Sequence, residues 1–270
     1  MTDTVGILFV VTAATYCIAS GLYLVRLIRG SDGVGRFAKA SLFAAVAAHF
    51  VYLGVDHMAQ TTPAMPDIHR TLTFLSLGVV LAFLVAGKWR PGIDVLGAFL
   101  TPVTLLFFLG SGLGRSVAEV PAEVRSMLLP VHISVSVLGI VAFALAFASA
   151  VAYVMQERML RQKRLGGLFQ RLPPLDVLDV FGFRSVSVGF PLLTLGIVTG
   201  AFWTLRIHPD APPLAPTHVF ALVAWALFAA VLVLRVAAGW RGRRAAACTI
   251  LGFLSSAAVL VGYVLRGTGA

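Results

Sequence analysis

The chain has 270 residues, 59% of them hydrophobic and 12% charged, with a net charge of +10 and a mean hydropathy of +0.94. A soluble domain carries about 25% charge, so a water-exposed fold of this size is excluded, whereas a bilayer accepts apolar side chains directly. The basic residues flank apolar runs instead of forming one stripe, which fits membrane topology and not nucleic-acid binding.

A helix needs ~20 apolar residues to cross ~30 Å of hydrocarbon. Runs of that kind predict an all-α polytopic membrane helix bundle of about eight transmembrane helices, one integral membrane domain over 1–270. The expected spans lie near 5–25, 38–57, 71–87, 93–112, 131–155, 185–204, 218–236 and 245–265. The runs are continuous, which argues against a lipid-facing β-barrel. The first is read as a span and not a cleavable signal, because Met1-Thr2-Asp3 has no basic n-region and Arg26 and Arg29 follow the apolar stretch.

The second span carries His49 about two helical turns inside one end and His57 at that end. Asp56, seven residues after His49, returns nearly to the same face; it either reaches His49 through water or solvates the helix end. His69 precedes the third span and His132 opens the fifth. Pro102 and Pro191 lie inside spans and predict kinks. In the connection 156–184 a basic helical stretch continues to Arg164 and breaks at Gly166-Gly167. Leu172-Pro173-Pro174-Leu175-Asp176-Val177-Leu178-Asp179 then predicts a short amphipathic helix along the membrane surface. It is either a connector over helix ends or a docking surface for a cytoplasmic partner. Gly196 and Gly200, with Gly189 before them, form a G-x-x-x-G pattern that lets helices approach closely in lipid. Cys17 and Cys248 lie in spans without a C-x-x-C and read as packing residues.

Sixteen of the 21 basic residues fall on alternate connections, grouped around 26–39, 88–90, 158–184 and 235–244. The other side holds Arg70, Arg115, Arg125, Arg206 and Arg266. The positive-inside rule places the sixteen in the cytoplasm and both termini outside. All six histidines (His49, His57, His69, His132, His208 and His218) then fall in the external half. Packing histidines scattered by chance would not choose one face.

Imidazole ligates haem iron, zinc and copper. Zinc takes three or four ligands, but no H-x-x-x-H or H-E-x-x-H occurs. Widely spaced histidines on separate helices better match the two axial positions of haem. Phe50, Tyr52, Phe74, Trp203 and Phe220 are candidate walls for a porphyrin. Four histidines (His57, His69, His208 and His218) sit near the headgroups, where an exposed imidazole costs little. His49 sits within the hydrocarbon, where a polar group is expensive and more often functional. No serine has a His/Asp constellation, and no phosphate loop or paired ion-binding carboxylates occur.

Four stretches carry a family resemblance over roughly 130–265. They are Val131-His132-Ile133-Ser134 through Tyr153 to Gln156-Glu157-Arg158; Gly189-Phe190-Pro191-Leu192-Leu193 with Gly196 and Thr199-Gly200-Ala201; Phe220-Ala221-Leu222-Val223-Ala224-Trp225; and Gly239-Trp240-Arg241-Gly242-Arg243-Arg244-Ala245-Ala246 followed by Gly252-Phe253. Together they resemble the cytochrome c assembly family of CcsA, CcmC and HemX type. His49, and Pro66-Asp67-Ile68-His69 with Leu72 and Phe74, match the first half of that family less tightly.

The resemblance implies a multi-pass protein of the bacterial cytoplasmic membrane that binds or positions haem, as haem b, near the external face during cytochrome c biogenesis or haem supply. It implies His132 as the external axial ligand and His49 as the membrane-level ligand. His218, at the family's Glu position, would replace a lost ligand. The implied partners are haem, other cytochrome c assembly proteins or a haem-biosynthesis enzyme, and membrane lipid, with no nucleic acid.

The departures are specific. Ala211-Pro212-Pro213-Leu214-Ala215-Pro216-Thr217-His218 stands where the family has a tryptophan-rich motif ending in WDPKE. The histidine of the family's LHLR is Val233, and the GLHSYG of haem lyases has no counterpart. These losses point to the short HemX-like branch, a haem chaperone or lyase-subunit-like protein and not a complete lyase. The competing expectation is a non-haem scaffold or regulator that docks a cytoplasmic partner through 156–184.

Overall fold

A computed structural model describes residues 2–59, 68–90, 92–113, 128–207 and 215–267. Among these, helix is the dominant structure. In chain order the helices are α1 (Thr2–Arg29), α2 (Asp32–Ala59), α3 (Ile68–Trp89), α4 (Gly97–Ser111, entered through a 3-10 turn at Ile93–Leu96), α5 (Leu128–Arg161), α6 (Leu168–Arg171), α7 (Leu175–Ile207), α8 (Pro216–Ala238) and α9 (Arg243–Gly267). All except the four-residue α6 are long and apolar enough to cross a membrane, alone or, for α4, together with its entry turn, which makes eight spans. The chain is therefore a multi-pass membrane protein.

The helices overrun the apolar windows because hydropathy marks only the hydrocarbon-facing part. α5 has 34 residues, about 51 Å at 1.5 Å per residue, and its basic end leaves the bilayer still helical. There Arg161 pairs with Glu157 one turn back at 2.8 Å, the spacing that supports an exposed helix end. Pro102 and Pro191 both lie inside continuous helices, α4 and α7.

The helices pack in two groups. α1 lies against α2 and α4, and α4 against α3; α5 lies against α7 and α9, and α8 bridges α7 and α9. Contact between α3 and α5 joins the groups. Lipid provides no hydrophobic drive for helix pairing, so close backbone approach has to supply it. α5 and α7 form the most extensive pair, and glycines make it possible. A Cβ on Gly189 would come within 2.6 Å of the Phe143 ring, and one on Gly196 within 2.9 Å of the Ser136 hydroxyl. The expectation of close approach at Gly196 and Gly200 holds.

Contacts among the connections sort the bundle into two ends. At the basic end α1 stops at Gly30, whose positive φ of 69° suits a residue that closes a helix through a left-handed turn. Arg171 of α6 packs on Gly30 and donates to the carbonyls of Leu27 and Ile28. Lys39 on α2 pairs with Asp94 at the entrance to α4, at 3.7 Å. Gly242, between α8 and α9, backs onto the Tyr153 hydroxyl. The four connections rich in basic residues thus share one end, and the described histidines, His49, His57, His69, His132 and His218, lie toward the other.

Two sequence expectations are corrected. Residues 175–179 do not form a separate helix along the membrane surface: Leu175 begins the 33-residue α7, which runs on into the sixth span. Leu178 is buried, and Asp179 pairs with Arg235 of α8 at 2.9 Å. The double proline separates the preceding turn from α7, and the Pro174 carbonyl accepts from the Leu178 N–H at 3.1 Å, which makes Pro174 the residue that flanks the helix start. Asp56, expected to reach His49 through water or to solvate the helix end, has an ion-pair partner on another helix. It pairs with Arg70 of α3 at 3.8 Å.

Candidate functional site

The histidine end of the first helix group is built on aromatic rings. Phe9 on α1 stacks on Phe108 of α4 at 4.8 Å and meets Tyr52 of α2 edge-on. Phe9 and Tyr16 are seven residues apart, so they share one face of α1. Beneath this layer His49 is fully buried. Its ring meets Phe108 edge-on at 4.8 Å, and Tyr16 closes its other side.

The Tyr16 hydroxyl bonds Nδ1 of His49 at 3.0 Å, across two helices. The opposite nitrogen, Nε2, is buried without a hydrogen-bond partner among the described residues. A buried polar atom left in this way costs about 1–3 kcal/mol. The hydroxyls of Thr12 and Ser20 on α1 and Thr104 on α4 are in the same condition. The core of this helix group is therefore more polar than the lipid around it.

His69 is different. Its Nδ1 lies within hydrogen-bond distance of the Ser111 carbonyl and its Nε2 is 3.2 Å from the Tyr52 hydroxyl. A carbonyl only accepts, so Nδ1 carries the proton and Nε2 accepts from Tyr52. Both nitrogens are used, and His69 ties α2, α3 and α4 together at their ends.

His132 lies in the first turns of α5, half-buried against Gly200 of α7, where a Cβ would come within 2.9 Å of its ring. Its Nδ1 is 2.9 Å from the Thr199 hydroxyl. That hydroxyl sits 2.7 Å from the Leu195 carbonyl and 3.1 Å from the Gly196 carbonyl. Its hydrogen is thus spent on the backbone and its oxygen is left to accept. The His132 proton is then on Nδ1, and Nε2 presents a lone pair. His218 has the opposite arrangement. Its Nδ1 accepts from the Ala215 backbone N–H at 3.3 Å, which puts the proton on Nε2 and makes the ring a cap on the first turn of α8. His57 is exposed, and His208 lies outside the described residues.

The donor chemistry suits haem iron at His132, whose Nδ1–H is anchored on Thr199, and at His49 in the tautomer whose Nδ1–H donates to the Tyr16 oxygen, because neutral imidazole ligates through the nitrogen opposite an anchored N–H. The two residues do not share one cluster. His49 is enclosed by α1, α2 and α4, and His132 lies on the α5–α7 seam. Of the expected aromatic walls, Tyr52 is inside, while Phe50, Phe74 and Phe220 face outward and the Trp203 side chain lies outside the described residues. Tyr16, Phe108 and Thr199, which do contact the histidines, are not singled out by sequence reasoning. The signal that could have found Tyr16 is its i, i+7 relation to Phe9, which puts two aromatic rings on one face of α1.

Beside this layer, Leu53, Asp56 and His57 of α2 and Arg70 and Phe74 of α3 enclose a cavity of about 110 Å³. A further cleft, at the basic end around the Asp179–Arg235 pair, has a volume of about 30 Å³, room for a water or two.

A family model described as Cytochrome C assembly protein matches residues 65–266. Cytochrome c biogenesis protein CcsA of Parasynechococcus marenigrum (strain WH8102) is 29% identical over 230 residues, covering 75% of each chain. CcsA of Prochlorococcus marinus (strain NATL1A) is 30% identical over 235 residues, covering 75% of this chain and 74% of its own. Among solved structures, a chain titled Cytochrome c Heme Lyase CcmF superposes with a TM-score of 0.65 at 18% identity, covering 98% of this chain and 49% of its own. At that identity the likeness shows a shared fold, and this chain spans about half the length of that one. The family match covers both the α5–α7 seam and the helices around it, so the chain belongs to the Cytochrome C assembly protein family.

Proposed function

We propose that this protein binds or positions haem at the histidine end of its bundle, as a haem-handling component of cytochrome c biogenesis in a bacterial cytoplasmic membrane. The observation that carries the reading is His49. A fully buried imidazole, held at Nδ1 by Tyr16, keeps Nε2 without a hydrogen-bond partner among the described residues, in the middle of a span. Such a group is costly in lipid and is retained where it has a ligand to meet. His132 is the second candidate ligand, with its Nδ1 anchored on Thr199. Haem would supply the iron; the chain would orient it, shield it and set its axial ligands.

The relatives are named for cytochrome c biogenesis, which supports the same pathway here. The proline-rich segment 211–218 in place of the tryptophan-rich motif, and Val233 in place of a family histidine, support a chaperone-like role of the HemX-like branch. Other assembly proteins, or a haem-biosynthesis enzyme, would be the partners. The chain purified in neutral detergent with added haem is expected to show a Soret band that weakens in both His49→Ala and His132→Ala. A chain with no band, or a band indifferent to both substitutions, would overturn the proposal.

A further inference from the structure

The connection between α8 and α9 packs the exposed arginines Arg241, Arg243 and Arg244 into one short turn. Arg161, Arg171 and Arg235, at the same end, spend their charge inside the protein, on Glu157, the α1 carbonyls and Asp179. Among the described residues, Arg241, Arg243 and Arg244 have no acidic partner. Arg243 and Arg244 also open α9, whose first turn holds no acidic residue. The positive end of a helix disfavours cations, so this corner lacks negative charge. The positive-inside rule explains which end the three occupy, not why they are held together.

The corner is held in place by the bundle. Gly239 closes α8 with a positive φ of 63°, and the Trp240 N–H bonds the Leu234 carbonyl at 3.1 Å. Gly242, with a φ of 78°, backs onto the Tyr153 hydroxyl of α5. The Arg244 guanidinium lies over the Trp240 ring, 6.0 Å from its centre, within cation–π range. Tryptophan at a span end sits at headgroup level. From Arg244 the exposed residues Ala247, Leu251 and Leu254 follow at steps of three and four, so they line one face of α9. The rise from Arg244 to Leu254 is about 15 Å, half of the ~30 Å hydrocarbon and the depth of one leaflet.

We propose that this corner binds one anionic phospholipid, its phosphate held by Arg241 and Arg244 beside Trp240 and one acyl chain laid along Ala247, Leu251 and Leu254. The guanidinium fork matches phosphate oxygens in pairs, and the lipid's net negative charge offsets the cluster. The apolar stripe directly below the arginines commits the site to a lipid, because a free anion would have no use for it.

The test is native mass spectrometry of the full chain in neutral detergent, titrated with phosphatidylglycerol and with phosphatidylcholine of the same acyl chains. The first phosphatidylglycerol is expected to bind about tenfold more tightly, since an arginine near an anionic lipid surface is worth about fivefold. Arg241→Gln combined with Arg244→Gln should bring the ratio near one. Arg29→Gln combined with Arg36→Gln removes the same charge from the α1–α2 connection at the same end and should leave the ratio at its wild-type value. Phosphatidylglycerol with brominated acyl chains should quench tryptophan fluorescence more than brominated phosphatidylcholine does, and Trp240→Phe should remove that difference. Equal affinity for the two lipids, equal loss of preference in the two double variants, or a quenching difference that survives Trp240→Phe overturns the inference. Inorganic phosphate that displaces the lipid would assign the corner to a free anion and overturn it as well.

Discussion

The hydroxyl of Tyr16 on α1 bonds Nδ1 of His49 on α2 at 3.0 Å, in a layer where both side chains are fully buried. This contact orients the imidazole so that Nε2 points away from the Tyr16 hydroxyl. Tyr16→Phe keeps the ring and deletes the bond. It should cost about 1–3 kcal/mol, read as a lower thermal midpoint in detergent, and should reduce the haem retained on purification. Unchanged midpoint and haem content would show that Tyr16 is packing alone.

On the α5–α7 seam, Thr199 should act on haem through His132. Thr199→Val removes the acceptor and keeps the volume. Losing such an outer hydrogen bond typically costs 10–100-fold in metal affinity or activity. Haem affinity should fall by about tenfold or more, His132→Ala should be at least as severe, and His57→Ala should be close to wild type. Equal retention in His57→Ala and His132→Ala would remove His132 from the site.

Gly200 tests the same seam sterically. A methyl there would sit 2.9 Å from the His132 ring, so Gly200→Ala should displace the imidazole and reduce haem retention. Gly189→Ala, 2.6 Å from Phe143, should destabilise the α5–α7 pair by about 1–3 kcal/mol without a specific effect on the iron spectrum. Spectra that respond equally to both substitutions would count against a site at His132.

Orientation follows from charge. Reporter fusions at Gly35, Gly166 and Gly242 should read cytoplasmic, and one after Ala270 should read external, because the sixteen basic residues share the opposite end of the bundle from the histidines. An external reading at Gly166 would place the histidine end in the cytoplasm.

Attachment of haem to an apocytochrome needs the haem edge displayed beside the thiols, and the proline-rich segment 211–218 replaces the family's tryptophan-rich motif. Co-expression of this chain with an apocytochrome, in a host lacking its own assembly system, should yield no covalent haem on the cytochrome. Peroxidase staining of the denatured cytochrome would detect the opposite result.

The span count and the division into a basic and a histidine end were legible in the sequence. Both depend on properties summed along the chain, hydropathy per ~20 residues and the side on which arginines accumulate. The seam at Gly196 and Gly200 was legible for a related reason, since absence of a side chain is itself the contact. The partners of His49, His69 and His132 were not. Tyr16, Ser111 and Thr199 are 33, 42 and 67 residues away from them along the chain, and no local periodicity links such pairs. Asp56 shows the limit most clearly. Its spacing puts it on the face of His49, yet it bonds Arg70, because α3 returns beside that end of α2 and brings an opposite charge within reach. The sequence alone determined that this is a membrane bundle with its histidines toward one end. Tertiary packing decided which imidazoles are satisfied, as at His69, and which keep a nitrogen without a partner among the described residues, as at His49, because a hydrogen bond depends on distances that only the folded helices establish.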